Sequence, residues 1–322
     1  MRRTTPMLTA MRFLFATDGS RGADIALDFL TALPLSSADH VTVLSVPTYS
    51  FMGTDRLDPT NSERLITHGE DAARTIAERA RARLGAHGLV ASTDVRPGPV
   101  VDAAQVAAIE HASEIIVLGS RGLGSFAGSI MGSVARGLAR SASTAVLVVR
   151  ERRESPQRVL LAVDGSDDAQ AAVALLARVP LPSDAQITLL HVIAERIETQ
   201  RPDDPVTLRH PRRALEEAEE RAGARVIEQA AGLLHGRVID HQIAERGHVA
   251  QQILSRASGW GADLVVLGSR GQTRGGSLLF GSVADRVLSQ AHCAVLVAKA
   301  PAGPRVVTER SAVLSRTAIA LW

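Results

Sequence analysis

Glu114-Ile-Ile-Val-Leu118 runs into Gly119-Ser-Arg-Gly122, then nine residues, then Gly132-Ser133. The chain repeats this as Asp263-Leu-Val-Val-Leu267, Gly268-Ser-Arg-Gly271, nine residues and Gly281-Ser282. In both copies the loop leads to a helix-like segment and a second apolar run, Ala145-Val-Leu-Val148 or Ala294-Val-Leu-Val297. Runs that are apolar at consecutive residues are buried on both faces, as strands are inside a parallel sheet covered by helices. Glycines at fixed spacing mark backbone that something approaches closely, and phosphate at a helix start is a ready candidate.

The repeat reaches well beyond the glycines. Arg12-Phe-Leu-Phe-Ala-Thr-Asp18-Gly-Ser20 matches Arg158-Val-Leu-Leu-Ala-Val-Asp164-Gly-Ser166, and Val41-Thr-Val-Leu-Ser-Val46 matches Ile187-Thr-Leu-Leu-His-Val192. The offset is 146 residues at the aspartates and 149 at the glycine loops, too long for a solenoid and right for a duplicated domain. Short β-branched runs alternate with longer helical patterns, which gives five strands and four helices per half and a doubly wound α/β fold. The expected organisation is a leader at 1–10, domains at 11–150 and 158–300, a linker at 151–157 and a tail at 301–322.

Local signals place several side chains. Ile25, Phe29 and Leu33 form an apolar stripe on the first helix. Asp167 or Asp168 is expected to cap the matching helix of the second half. Between Arg212 and His235, the residues Leu215, Ala218, Ala222, Val226 and Leu233 are expected on one side. Ser282 with Asp285 reads as a capping box.

Composition narrows the function. Hydrophobic residues make up 45% and charged residues 22%, as in soluble globular proteins. Net charge is +2, Lys299 is the only lysine, and no dense basic run marks a nucleic-acid face. Aromatic content of 3% argues against base-stacking platforms. The single cysteine, Cys293, excludes a disulfide framework and a thiolate metal site, and its place beside an apolar run suggests a buried structural role. No apolar stretch reaches the roughly 18 residues of a membrane span. Arg2-Arg3 is followed by no apolar signal core, so a cytoplasmic location is expected.

If strands one and four are neighbours, the Asp-Gly-Ser blocks and the glycine loops converge beyond the carboxyl ends of the sheet, where such folds bind ligands. Gly119 and Gly122 would turn the chain sharply off the strand, and Gly132 would admit close approach. Asp18 and Asp164 can accept from ribose hydroxyls or help place a divalent ion, and an Asx-turn explains the same residues. Ser133 and Ser282 can hold phosphate oxygens or cap their helices. Arg121 and Arg270 can neutralise phosphate or stay solvated. A P-loop is excluded because Lys299 lies far from any glycine loop, and the dinucleotide fingerprint fails because Gly128 stands one residue late after Gly122-Leu-Gly124.

These residues resemble the ATP-binding branch of the universal stress protein family in tandem form, whose mark is Gly-x2-Gly-x9-Gly-Ser/Thr. Both halves match it, and the Asp-Gly-Ser blocks at 18–20 and 164–166 are family-like. The resemblance implies two five-stranded parallel sheets in order 3-2-1-4-5, of the adenine nucleotide alpha hydrolase-like type, with ATP between strands one and four. It implies ribose contacts from Asp18 and Asp164 and adenine contacts from the backbone of Val46 and Val192. It implies phosphate contacts from Gly119, Gly122, Gly132 and Ser133, and from Gly268, Gly271, Gly281 and Ser282. Mg²⁺ or Mn²⁺ would accompany the triphosphate. The halves would form an intrachain pseudo-dimer through their last strands, leaving a homodimer and any protein partner open. The connections Pro47–Asn61 and Ala194–Pro211 diverge, so the adenine end is less defined than the phosphate end.

The function expected is a nucleotide-dependent stress-response regulator holding two ATP per chain, with at most slow hydrolysis. A phosphotransferring enzyme and an interaction module without nucleotide are the alternatives.

Overall fold

The structure, a computed structural model, describes residues 10–48, 59–123, 131–151, 155–194, 209–234, 237–271 and 280–301. The expected leader up to residue 9, the tail from 302, the middle of the linker and most of the two divergent connections lie outside the described residues.

The first half contains β1 (Arg12–Ala16), α1 (Arg21–Ala32), β2 (His40–Ser45), α2 (Pro59–Ala86), β3 (Val90–Val95), α3 (Val100–Glu110), β4 (Ile115–Gly119), α4 (Ser133–Ser141) and β5 (Ala145–Val149). The second contains β6 (Arg158–Ala162), α5 (Asp167–Arg178), β7 (Gln186–Ala194), α6 (Arg209–Leu233), β8 (Val238–Gly247), α7 (Val249–Trp260), β9 (Leu264–Gly268), α8 (Ser282–Gln290) and β10 (Ala294–Ala298). Each half has the order 3-2-1-4-5 with parallel neighbours. The two sheets join into one of ten strands, because β5 and β10 pair antiparallel with Leu147 opposite Leu296.

The consecutive apolar runs are buried on both faces: Ile115 to Leu118 and all five residues of β5 and β10 are covered. Alternate residues feed two cores. Phe13 and Phe15 face α1 and α2, with α5 and α6 continuing that layer. Leu14 and Ile116 face α3 and α4, with α7 and α8 continuing the other. Buried Cys293 belongs to this second core.

Three local expectations change. Ser166, not Asp167 or Asp168, is the N-cap of α5, accepting from the amide of Ala169, as Ser20 does from Ala23 in α1. The N-cap of α8 is Gly281 without a side-chain bond, so Ser282 and Asp285 form no capping box, and Asp285 instead pairs with Arg140 across the halves at 2.9 Å. In α6 the buried face is Gly223, Ile227 and Ala230, continued by Leu234 just past its end, with Val226 half-buried beside it, while Ala218, Ala222 and Leu233 are exposed and the Leu215 side chain lies outside the described residues. Gly223 sets that phase: a Cβ there would lie 2.6 Å from the ring of His191, so only a bare backbone can seat the helix this close to β7.

Candidate nucleotide crevices

The strand-one and strand-four loops do meet. β1 lies between β2 and β4, and β6 between β7 and β9, so the sheet reverses its winding at these pairs. The Asp18 carboxylate sits two residues beyond β1 and accepts from the amides of Ser20 at 3.0 Å and Leu123 at 2.8 Å. Asp164 accepts from the amide of Ser166 at 2.9 Å and from its hydroxyl at 2.6 Å. Ser166 also donates to the carbonyl of Arg270 at 3.1 Å, which ties the second glycine loop to the start of α5. The Asx-turn geometry at both aspartates is therefore present, and Asp18 additionally holds the glycine loop in place.

Sharp turning, expected of Gly119 and Gly122, is not what the glycines of the repeated string supply. Positive φ occurs at Gly19 and Gly165 in the Asp-Gly-Ser turns but at none of the six string glycines, so those are not required for turning. Each is instead closely approached by the protein itself. A Cβ on Gly119 would lie 2.4 Å from the carbonyl of Gly22, and one on Gly268 would lie 2.7 Å from the amide nitrogen of Ala169. The first turns of α1 and α5 thus rest directly on β4 and β9. Gly122 and Gly271 face the carboxylates of Asp18 and Asp164, where a Cβ would come to 2.3 and 2.8 Å. Gly132 and Gly281 close the loops, their amides donating to the carbonyls of Ser120 and Ser269 at 2.8 Å each.

What the crevice offers a ligand is helix starts. Among the described helix N-termini, α1 and α5 on one face of the sheet are capped by serine side chains. The starts of α3, α4, α7 and α8 on the opposite face carry no side-chain cap bond. Ser133 and Ser282 occupy the first helical position, exposed, and neither caps its helix. Free first-turn amides and the positive end of the helix dipole attract anions.

In the second half these starts border a cleft of about 290 Å³ between the ends of β7 and β8 and the first turns of α7 and α8. Ala194, Gly247, His248, Ser282, Val283 and Arg286 are among its lining residues. Arg286 is a contributor that the repeat could not reveal, because its counterpart in the first half is Gly137.

The remaining expected residues fall as follows. Val46 follows β2 directly and packs half-buried on the α3–α4 core, whereas Val192 lies inside the longer β7, opposite Glu245 of β8. Arg121 is exposed and, among the described residues, makes no ion pair. Arg270 departs from the expectation of a free cation, because it forms a forked pair with Asp168 at 3.0 Å through both Nε and Nη2. Burial alone would raise the Asp168 carboxyl, but Arg270, the Ser269 hydroxyl and the Ala300 amide together hold it below the ordinary carboxylate range. Among the described residues no three His, Cys, Asp or Glu side chains cluster as metal ligands, and no helix is long and apolar enough to cross a membrane.

A tandem, doubly wound α/β chain with glycine loops after the fourth strand of each half is thus defined by fold and by loop geometry. It belongs to the universal stress protein family, whose sequence model matches residues 10–150 and again 156–299. Universal stress protein Rv2623 of Mycobacterium tuberculosis is 30% identical over 227 residues, covering 66% of this chain and 73% of its own. A universal stress protein of Thermus aquaticus is 33% identical over 144 residues, 44% of this chain and 97% of its own. The crystal structure of a universal stress protein from Archaeoglobus fulgidus shares the fold, with a TM-score of 0.62 at 21% identity over 89% of this chain and 98% of that one.

Proposed function

We propose that this chain binds one ATP in each half and acts as a nucleotide-dependent regulator of the stress response. The observation that carries the reading is the segregation of helix starts. The two that open beside the Asp-Gly-Ser turns are capped by the protein, while those facing the crevices leave their first amides and dipole ends to a ligand.

In this reading the triphosphates lie at the starts of α4 and α8, against Ser133 and Ser282. Gly119 and Gly122 in the first half, and Gly268 and Gly271 in the second, form the floor, and Gly132 and Gly281 the far wall. Asp18 and Asp164 turn their remaining acceptor capacity to ribose, and the backbone at Val46 and Val192 meets the adenine. Mg²⁺ or Mn²⁺ enters with the phosphates, which supply its oxygen ligands.

The chemistry favours holding over turnover. Asp18 already accepts two amides, so its carboxylate serves as an anchor rather than a base poised over water. A route from occupancy to surface exists along α4 and α8. Each is a nine-residue helix, about 13 Å long, with the crevice at its start and a contact to the other half at its end.

Chromatography of whatever the purified protein releases on heating tests the reading. ATP or ADP approaching two per chain supports it. Released protein free of adenine nucleotide, which then binds none on addition, contradicts it.

A further inference from the structure

The two crevices are not chemical copies, and the differences fall on their cations. Position 22 of the first half is glycine and its counterpart is Asp168; position 137 is glycine and its counterpart is Arg286. In the first half the start of α1 is bare backbone against the glycine loop, where a Cβ on Gly22 would lie 2.0 Å from the carbonyl of Arg121. No carboxylate stands there, and Arg121 makes no ion pair among the described residues.

In the second half Asp168 fills that place. Its carboxylate is 2% exposed and accepts from Ser269 at 2.6 Å, from both arms of Arg270 and from the Ala300 amide at 2.9 Å. Drawing Arg270 towards a phosphate would strip a buried carboxylate of its counter-ion, which is strongly unfavourable. The other position compensates. In α4, Gly137 lies against α3, and a Cβ there would come within 2.9 Å of Val101. In α8 the same position is opened to the cleft by Arg286, exposed and one turn beyond Ser282 on the same helix face. Among the described residues Arg286 has no carboxylate partner.

Building on the nucleotide-binding reading, we propose that the two sites neutralise phosphate with different arginines. Arg121 serves the first crevice, and Arg286 serves the second, where Asp168 withdraws Arg270. Asp168 and Arg286 are then the residues that make the duplicated sites unequal, and each site can be tuned without disturbing the other.

Calorimetric titration of nucleotide-stripped full-length protein with MgATP tests this. Arg121→Ala and Arg286→Ala are each expected to weaken one of two binding events about tenfold, in keeping with loss of a charge-assisted hydrogen bond. In the double variant both events weaken. Asp168→Asn with Arg270→Gln removes the buried pair while leaving both groups hydrogen-bonding, and is expected to leave both events within about twofold of wild type. That double variant also guards against a folding defect from an orphaned Asp168. Two intact events in Arg286→Ala, or tenfold weakening in the Asp168→Asn/Arg270→Gln protein, overturns the assignment while leaving the nucleotide reading standing. No binding by wild type overturns both.

Discussion

Lys299, just beyond β10, donates its ammonium to the carbonyl of Ala142 at the end of α4 in the opposite half. Arg150, at the matching place after β5, donates to the carbonyl of Leu288 near the end of α8. The two cations thus cross the β5–β10 seam in opposite directions, each satisfying carbonyls at the negative end of a helix whose start borders a crevice. Arg140 with Asp285 and Arg178 with Glu114 add ion pairs across the same junction.

This arrangement gives Lys299 a pH signature. Burial lowers its ammonium from 10.5 to about 8, with Asp168 opposing the shift and Arg270 adding to it. Between those values the unfolded chain keeps a proton that the folded chain has released, so stability rises with pH through this window. Melting temperatures of wild type and Lys299→Met, compared from pH 7.5 to 10.5, should show the difference moving in favour of wild type as pH rises. A difference that stays flat places the Lys299 ammonium in solvent.

Asp168 gives the same slope in a more acidic window for the opposite reason, because the fold favours its charged form. Its folded value lies below the ordinary 3.8, so its contribution is present above that value and is lost as pH falls through the folded one. Asp168→Ala should cost about 2–3 kcal/mol at pH 7, less than a fully buried pair because Arg270 is half exposed. Urea unfolding at pH 7 and pH 3 measures it, and the gap between the two proteins should narrow at pH 3.

Gly119→Ala and Gly268→Ala should each destabilise by about 1–3 kcal/mol even without nucleotide, because the added methyl meets backbone of the next helix rather than a yielding side chain. Denaturant unfolding of stripped protein reads this directly. Wild-type stability with selective loss of nucleotide would move these glycines from packing to binding.

Those glycines show how far the sequence could be read. Their spacing marks close approach and the consecutive apolar runs mark covered parallel strands, so the doubly wound fold follows from the residues, while the strand order is what the family resemblance implies. Spacing does not say who approaches. Gly119 and Gly268 are met by the first turns of α1 and α5, a contact between segments about a hundred residues apart. The cap of α5 is ambiguous in the sequence because Ser166, Asp167 and Asp168 are all competent, and only the fold shows Asp168 turned inward to Arg270. The face of α6 is not legible in the sequence because Ala218 and Ala222 favour burial weakly, while Gly223 favours it through the bulk of its neighbour. Arg286 was hidden by its counterpart, since a repeat directs attention to what is shared.

The central claim is that each half holds an ATP. It is tested most directly by titrating nucleotide-stripped protein with MgATP in a calorimeter, alongside Gly132→Val. That valine would press on the carbonyl of Ser120, which a Cβ alone approaches to 3.3 Å, and would obstruct the start of α4. Two ATP per chain in wild type and one in the variant is the predicted result. No binding heat in wild type, or loss of both sites in a variant that remains folded, would contradict the account of two separate crevices.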